Sequence, residues 1–409
     1  MSTLRHWLWL TSRGPSPGMY ARRLLEHFGS PGAAFFAGET DYDGIDGIPA
    51  AVREALLDKD LSGTELILND CETLGIRILT LQDTEYPERL RQIDAAPCVL
   101  YVKGRLPQFD DEAAVAVVGA RKASAYGIST AGSFALELAR QGVLVVSGSA
   151  AGVDSAALRG ALQGGGRVVS VLGNGIDVIY PAGNASLYAD VAAAGALISE
   201  YPPGTPPASG NFPVRNRILA GLCAGVLVVE GGDRSGSLIT ARWALDLDRD
   251  VFAVPGPIDS ALSRGPNGLI RRGEAKLVQS VWDILGEYEY VYPAKVRPRA
   301  PLPRQDAEAR LAGVKARSRP ADPPPARPEP PEETGLVIDR SRDPEALTDD
   351  QAAVLRALQG GRELTSDELV ERTGIPARRV LSAMTLLQVR QLAEQRPGGR
   401  FSTEVILRD

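Results

Sequence analysis

The chain has 409 residues, of which 44% are hydrophobic and 23% charged, and its formal net charge is −6. These values exclude a fibrous or disordered chain and predict a globular protein of two or three domains. Cys71, Cys98 and Cys223 have no Cys-x-x-Cys spacing, so neither a disulfide framework nor a metal site is expected. With no leader cleavage site and no apolar run long enough to span a bilayer, we expect a cytoplasmic protein without membrane contact.

Residues 1–75 are predicted to form a helical domain. Turns rich in glycine and proline, at 13–18 and 44–49, precede helices near 20–28 and 50–57. Pro49 suits the start of a helix, where its missing N–H is not needed. Two interpretations stay open. The turns either direct backbone N–H groups at DNA phosphates, as helix-hairpin-helix modules do, or simply connect the helices of a small bundle.

Residues 76–290 are predicted to form an α/β domain. Continuous aliphatic runs are typical of strands buried on both faces of a parallel sheet, and helical stretches at 128–141 and 238–247 lie between such runs. The pattern favours a Rossmann-like, doubly wound, mostly parallel sheet. The predicted strands are 114–118, 144–147, 168–172, 196–199, 225–229 and 251–254.

Residues 291–345 are predicted to be a flexible linker. Between residues 293 and 331 there are eleven prolines and nine lysines or arginines, but few apolar residues that could form a core. The basic charge either adds attraction to a polyanion or accompanies a simple spacer.

Residues 346–409 are predicted to form a winged helix, with three helices and a β-hairpin. Capping-box spacing starts two helices near Asp349 and Ser366. A third helix at 377–389 is followed by a hairpin that opens at Leu392 and turns at 397–399. The residues predicted on the inner face of the third helix are Val380, Leu381, Met384 and Leu387.

Arg378 and Arg379 lie at the start of this third helix, the element that enters the major groove in DNA-reading winged helices. However, nine acidic and nine basic residues cancel between 346 and 409. A protein-binding winged helix therefore stays as open as a DNA-binding one.

Functional loops in a doubly wound sheet lie at the carboxyl ends of its strands, so the glycine-rich strand ends of this chain are expected to converge. Small residues let a ligand approach the backbone, the helix N-terminus that follows favours an anion, and Arg121 offers a bidentate phosphate contact. Asp154 is suited to cap its helix. The candidate DNA-binding residues of these loops are Gly119, Arg121, Lys122, Gly148, Ser149, Ser235, Gly236 and Ser237.

Phe212, Arg215, Asn216 and Arg217 form a second group of candidates. Phe212 either offers a stacking platform for a base or anchors its loop to the core. Arg215 and Arg217 are two residues apart at the start of a helix, so they point in different directions. We expect one to bind phosphate and the other to pair with a structural carboxylate.

Histidine is absent between residues 115 and 285. The commonest general base at neutral pH is therefore missing from the most site-like part of the chain. We expect a nucleic-acid binder with no catalytic residue and no cofactor, rather than an enzyme.

A series of short motifs extends across residues 86 to 285. They are Tyr86-Pro87, Leu100-Tyr101 with Lys103-Gly104, Val118-Gly119-Ala120-Arg121, Ser147-Gly148, Gly152-Val153-Asp154, Ser199-Glu200-Tyr201-Pro202, Phe212-Pro213-Val214-Arg215-Asn216-Arg217, Ser235-Gly236-Ser237 with Thr240-Ala241, and Val254-Pro255-Gly256. In this order they resemble the DNA-processing protein A family, also called DprA or Smf. Many members carry an N-terminal domain like a sterile alpha motif and a C-terminal winged helix.

The resemblance implies a protein that binds and protects single-stranded DNA and loads the recombinase RecA onto it in natural transformation and homologous recombination. It also implies that Arg121 contacts phosphate, that Phe212, Arg215 and Arg217 belong to the DNA groove, and that the protein is a homodimer through the Rossmann-like domain. Two features depart from the family. Leu158 replaces a usual histidine, and residues 208–211 lack the basic residue that some members have.

Two rival functions belong to other classes. The lysine-decarboxylase-like phosphoribohydrolases share this Rossmann variant and resemble one another in a Pro-Gly-Gly-x-Gly-Thr loop followed closely by a glutamate. Here Glu230-Gly231-Gly232 lacks the proline, and 237–247 carries no glutamate. The third interpretation is an adaptor that binds proteins through the winged helix and shows no salt-sensitive DNA binding.

Overall fold

The structure is a computed structural model, and it describes residues 2–14, 18, 20–296, 337–339, 347–359, 362–390, 392–396, 400–403 and 405–408. The chain divides into two compact units, Met1–Ser318 and Arg319–Asp409. Each unit has its own apolar core. Within the described ranges, no helix is both long and apolar enough to cross a membrane.

The first unit begins with short helices, as predicted. Trp9 and Leu24 are buried in a core that continues onto one face of the sheet. The turn predicted at 13–18 includes Pro15, Ser16 and Pro17, which lie outside the described residues. A contact between these turns and DNA stays a prediction. The helices are α1 Ser2–Thr11, α2 Ala21–Phe28, α3 Pro31–Phe36, α4 Ala50–Leu57 and α5 Ser62–Leu74.

A nine-stranded sheet forms the centre of this unit. Its strands are β1 Arg77–Thr80, β2 Val99–Gly104, β3 Ala114–Val118, β4 Leu144–Ser147, β5 Val168–Leu172, β6 Ala196–Ser199, β7 Gly225–Val228, β8 Asp250–Ala253 and β9 Lys276–Leu277. The order is β1-β2-β6-β5-β4-β3-β7-β8-β9. All pairs from β6 to β9 are parallel, and β2 pairs antiparallel with both β1 and β6. The predicted mostly parallel sheet is confirmed.

Helices cover both faces of the sheet, as the aliphatic strands require. Along β3, Val115 and Val117 pack into one core, whereas Ala114, Ala116 and Val118 pack into the other. Alternate side chains of a strand point to opposite faces, so this strand is buried on both. The remaining helices of the unit are α6 Glu88–Arg91, α7 Ala125–Arg140, α8 Val153–Gln163, α9 Ala185–Ala194, α10 Asn211–Leu222, α11 Gly236–Asp246, α12 Arg264–Arg271 and α13 Trp282–Tyr288.

The predicted linker at 291–345 lies mostly outside the described residues, but its two described parts have structure. Lys295 Nζ donates to Glu112 Oε1 over 2.9 Å, and Val296 is buried. Strand β10, Val337–Asp339, pairs in parallel with β14, Ile406–Arg408. These two parts of the predicted linker range therefore have defined contacts. The predicted flexible linker otherwise falls on residues outside the described ones and stays a prediction.

The second unit contains α14 Asp349–Leu358, β11 Leu364–Thr365, α15 Ser366–Thr373, α16 Ala377–Val389, β12 Glu394–Arg396 and β13 Arg400–Ser402. Both predicted capping boxes form, at Thr348 and Thr365. Strands β12 and β13 make the predicted hairpin, and β11 pairs with β13. The predicted winged-helix fold is confirmed, and the hairpin tip at 397–399 lies outside the described residues.

One core prediction for this unit is wrong. Val380, Met384 and Leu387 are buried as expected, but Leu381 is 51% exposed. Positions 380, 384 and 387 follow the spacing of one helix face, whereas position 381 lies about 100° away around the helix.

Candidate nucleic-acid interface

The loops after β3, β4 and β7 and the first turns of α10 surround one cleft, whose volume is about 340 Å³. Parallel strands end at the same edge of a sheet, so loops distant in sequence meet there. Most of the predicted DNA-binding residues line this cleft, namely Gly119, Arg121, Phe212, Arg215, Asn216, Ser235, Gly236 and Ser237.

Four predicted residues do not line the cleft. Lys122 is exposed on the loop that carries Arg121. Gly148 is separated from the cleft by Arg215, whose Nη1 donates to the Gly148 carbonyl over 3.0 Å. Ser149 is fully buried, with its Oγ 2.6 Å from Ser170 Oγ, which indicates a structural position. The fourth is Arg217, which lies on another side of α10.

Arg121 and Phe212 form the rim of the cleft. Arg121 Cζ lies 4.6 Å from the centre of the Phe212 ring, within the range of a cation–π interaction. Arg121 is exposed, and nothing in the described part of the chain accepts a hydrogen bond from its guanidinium. Its donors are therefore free for an anion while the ring fixes its position.

The ring of Phe212 is half-buried at the start of α10. A Cβ on Gly173 would lie 2.9 Å from Phe212 Cδ1, so the glycine makes room for the ring. Asn211 Nδ2 also donates to the Gly173 carbonyl over 3.0 Å. Phe212 therefore anchors its loop and still reaches the rim, so each of the two interpretations of this residue describes part of its position.

Tyr180 lies next to Phe212, just outside the lining of the cleft, and was not among the predicted site residues. Its ring centre is 5.5 Å from that of Phe212, with 31° between the ring planes, and its side chain is 37% exposed. The sequence did carry a signal for it, because Tyr180 follows the glycine-rich end of strand β5. An aromatic residue in such a loop has little regular structure to pack into.

Arg215 forms the floor of the cleft and is only 4% exposed. Its Nη1 donates to the carbonyls of Gly148 and Val171, and its Nε has no partner within the described residues. A Cβ on Gly148 would lie 2.7 Å from Arg215 Nη1 and 2.6 Å from Asp154 Oδ2. Only glycine fits between these two groups. Gly148 therefore makes room for the Arg215 and Asp154 side chains and does not itself contact a ligand.

Asp154 lies in the same floor, where its Oδ2 accepts from Gly148 N–H over 3.2 Å. Burial raises the pKa of Asp154 to about 6, and the Arg215 guanidinium opposes that rise. The prediction that Asp154 caps its helix is wrong. Gly152 holds the N-cap position of α8, and Asp154 in the first turn points back to the preceding loop.

Arg217 is buried, and its Nη2 lies 2.7 Å from Glu200 Oε1. Its Nε donates to the Ala95 carbonyl over 2.8 Å. The expectation that the two arginines point in different directions fits this geometry, with Arg217 beside the carboxylate and Arg215 facing the cleft. A DNA contact for Arg217 stays an untested prediction.

The two helix N-termini near the cleft differ. At α7, Glu230 accepts from Ser124 N–H over 2.9 Å and from Ser124 Oγ over 2.6 Å. A Cβ on Gly127 would collide with this carboxylate. The prediction that the N-terminus of α7 favours an external anion is therefore corrected, because an internal carboxylate already lies there.

The N-terminus of α11 instead faces the cleft. Ser235 caps it, and the Ser235 and Ser237 hydroxyl oxygens are 2.9 Å apart. Asn216 Nδ2 donates to the Gly236 carbonyl over 3.2 Å and so ties α10 to this loop. The hydroxyls and the positive end of the helix dipole suit an anion at this wall.

The two candidate arginines of the winged helix have different surroundings. Arg379 makes a bidentate pair with Asp350, through Nε at 2.8 Å and Nη2 at 2.7 Å. Arg378 is exposed. The outward face of α16 also carries Leu381 and Leu386, which are 51% and 47% exposed.

The fold and the cleft together define a Rossmann-like protein with an arginine-lined site at the carboxyl edge of its sheet. The model of the DNA recombination-mediator protein A family matches residues 77–289, and that of the DprA winged helix domain matches residues 338–399. The chain belongs to the DNA recombination-mediator protein A family, which confirms the resemblance drawn from its motifs.

Several relatives are similar over most of the chain. Protein Smf of Synechocystis is 31% identical over 97% of this chain and 98% of its own length. A putative DNA processing protein DprA of Mycobacterium tuberculosis is 36% identical over 79% of this chain and 76% of its own. The X-ray structure of DNA processing protein A from Streptococcus pneumoniae is 36% identical, with a TM-score of 0.61 over 70% of this chain and 98% of that one.

Proposed function

We propose that this protein binds single-stranded DNA along the rim of the cleft. The observation that carries the proposal is the placement of the unpaired Arg121 guanidinium beside Phe212 and Tyr180, above the buried Arg215. Guanidinium groups match phosphate geometry, and aromatic rings stack on any base. A duplex hides its base faces in the stack, so this combination favours a single strand.

The net charge of −6 does not argue against this binding. A local arrangement of cations acts on a polyanion over about 10 Å at ordinary salt, whereas distant surface charges are screened. In the cleft, Arg121 and Arg215 outnumber Asp154, which is the acidic residue among the described residues of its lining.

Membership of the recombination-mediator family supports a further part of the proposal. The protein protects incoming single strands and delivers RecA to them in natural transformation and homologous recombination. It acts as a homodimer joined through the Rossmann-like domain, which would double the length of the DNA track.

We also propose that the protein catalyses no reaction. Glu230, the carboxylate nearest in sequence to the loop of the phosphoribohydrolases, is buried and already accepts two hydrogen bonds from Ser124. Asp154 is the cleft residue whose raised pKa suits a general base. A nucleotide hydrolysis assay with the wild type and Asp154→Asn therefore tests this part directly.

The central experiment measures fluorescence anisotropy of the full chain with a labelled oligothymidylate and with a duplex of equal length, at two salt concentrations. We expect tighter binding of the single strand, weakened by salt, without metal or nucleotide. Equal affinity for the two forms would contradict the proposal.

The RecA step needs a separate assay. RecA filament assembly on DNA coated with single-strand-binding protein should speed up when this protein is added, while hydrolysis of nucleoside monophosphates stays at background. If RecA filament assembly were unchanged and ribosyl hydrolysis appeared, the result would support the phosphoribohydrolase function and contradict the mediator function.

A further inference from the structure

We infer that Tyr180 is the residue on which a base of the bound strand stacks, and that Phe212 supports it from behind. This inference rests on the proposed binding of single-stranded DNA. It concerns a residue that the sequence motifs left without a role, and it assigns different tasks to two neighbouring aromatic rings.

Phe212 is poorly placed to receive a base. Its ring is half-buried, the Arg121 guanidinium lies over it at 4.6 Å, and the Gly173 backbone packs against its edge. A base stacked on this ring would have to displace Arg121 and lose the cation–π contact. It would also remove the contact that holds Arg121 in position for a phosphate.

Tyr180 offers the free ring surface instead. It is 37% exposed, and within the described residues its hydroxyl has no hydrogen-bond partner, although most tyrosine hydroxyls find one when they pack into a protein. Its ring is tilted by only 31° from that of Phe212, the ring on which the Arg121 guanidinium also lies. The exposed Ile179 extends this apolar surface.

The backbone of Tyr180 is held in place before any ligand arrives. The buried Tyr188 hydroxyl accepts from Tyr180 N–H over 3.4 Å and donates to the Tyr180 carbonyl over 3.0 Å. Both backbone groups of the residue are thus fixed by one side chain. A stacking platform that is ordered in the free protein loses little conformational entropy when it binds.

The Phe212 ring also brings a phosphate site and a base site together. Arg121 and Tyr180 both contact this ring, so a phosphate on Arg121 and a base on Tyr180 can belong to one short stretch of the strand. Because every base has a π face, this contact is tolerant of sequence. The ligand is therefore a single strand of any composition rather than a particular mononucleotide.

The test compares Tyr180→Leu, Tyr180→Phe and wild type in the full chain, with an oligothymidylate of about twelve nucleotides as the probe. Leucine fills the rim without a π face, so Tyr180→Leu should bind about five- to 150-fold more weakly, the range of one base–aromatic stack. Tyr180→Phe should bind within about twofold of wild type, since the hydroxyl takes no part in stacking. The salt dependence should not change, because stacking releases no counterions.

Tyr126→Leu is the matched control, since Tyr126 is an exposed tyrosine that lies beside Pro255 in a different depression of the surface. Tyr180→Trp adds a direct signal, because its fluorescence should be quenched when the oligonucleotide binds. If Tyr180→Leu binds as wild type while Phe212→Leu loses affinity, the base stacks on Phe212 and the inference is overturned. If wild type itself does not bind the oligonucleotide, the proposed binding of single-stranded DNA is contradicted, and with it the inference about Tyr180.

Discussion

The cleft of the first unit and the third helix of the winged helix both carry arginines predicted to bind DNA, but the structure surrounds them differently. In the cleft, Arg121 rests on an aromatic ring with its donors free, and Arg215 is fixed by backbone carbonyls. On the winged helix, Arg379 is neutralised by a bidentate pair with Asp350, and exposed leucines lie on the same helix.

The difference teaches that the partners of an arginine decide what it can bind. A guanidinium that rests on an aromatic ring, as Arg121 does, keeps its positive charge available for an anion, whereas Arg215 lies beside the carboxylate of Asp154. One paired with a carboxylate presents little net charge. Arg379 is therefore less suited to a phosphate contact than Arg121. Arg378 on the same helix is exposed, so both alternatives for the winged helix, DNA and protein, stay open.

The largest expected effect is a loss of folding stability when the buried Arg217 is replaced, since this arginine is predicted to be structural. Arg217→Ala leaves the Glu200 carboxylate buried without its partner, so it should lower the free energy of unfolding by about 3–5 kcal/mol. Urea denaturation measures this loss. Arg378→Ala, at an exposed position, serves as the control and should change stability by less than about 0.5 kcal/mol.

A stable Arg217→Ala variant with weakened DNA binding would contradict this structural role. That result would support a DNA contact for Arg217, as the family resemblance implies.

The next effect tests the free guanidinium of the cleft. Arg121→Ala should weaken binding of single-stranded DNA by about tenfold and reduce the salt slope by about 0.7, the contribution of one neutralised phosphate. Titrations at several salt concentrations give both values. Identical salt slopes for the variant and wild type would show that Arg121 does not contact a phosphate.

A smaller effect should come from pH, through Asp154 in the floor of the cleft. Its pKa of about 6 means that the carboxylate becomes neutral as pH falls from 7.5 to 5.5. The cleft then loses a negative charge close to Arg215 and Arg121, and affinity for single-stranded DNA should rise about threefold. Asp154→Asn should bind equally at both pH values, and a rise that persists in this variant would point to another group.

The same group makes a prediction for stability. The pKa of Asp154 in the folded protein lies above the unfolded value of about 3.9, so the folded state binds more protons between these values. The contribution of Asp154 to the free energy of unfolding is therefore largest below about pH 4 and falls as pH rises to about 6. Urea denaturation of wild type and Asp154→Asn across this range measures the difference, which should be flat above pH 7.

The smallest expected effect belongs to the winged helix. Arg379→Ala removes an exposed ion pair that solvent and salt screen, so it should leave the midpoint of thermal unfolding nearly unchanged and keep affinity for single-stranded DNA within about twofold of wild type. Anisotropy and thermal unfolding of the full chain measure both. A tenfold loss of DNA affinity would show that this helix takes part in DNA binding and would remove the contrast with the cleft.

The sequence by itself determined the sheet and most of the cleft. Continuous aliphatic runs rich in β-branched residues, such as Ala114–Val118, are typical of strands buried on both faces of a parallel sheet. Parallel strands place their carboxyl ends at one edge of the sheet, so the convergence of Arg121, Phe212 and Ser235 could be predicted from the alternation of strands and helices. Helix starts at Thr348 and Thr365 were equally local, because a capping box lies within four residues.

Only the tertiary structure decided which side chains are free. Arg217 meets Glu200, the N-terminus of α7 meets Glu230, and Tyr180 lies against Phe212, and each pair is separated by at least 17 positions in the chain. Leu381 is exposed although it is hydrophobic, because the packing of the helix decides which of its faces is buried. Burial and partnership arise from contacts between distant segments, so residue types and spacing can nominate a site, but the packing around each group assigns its role.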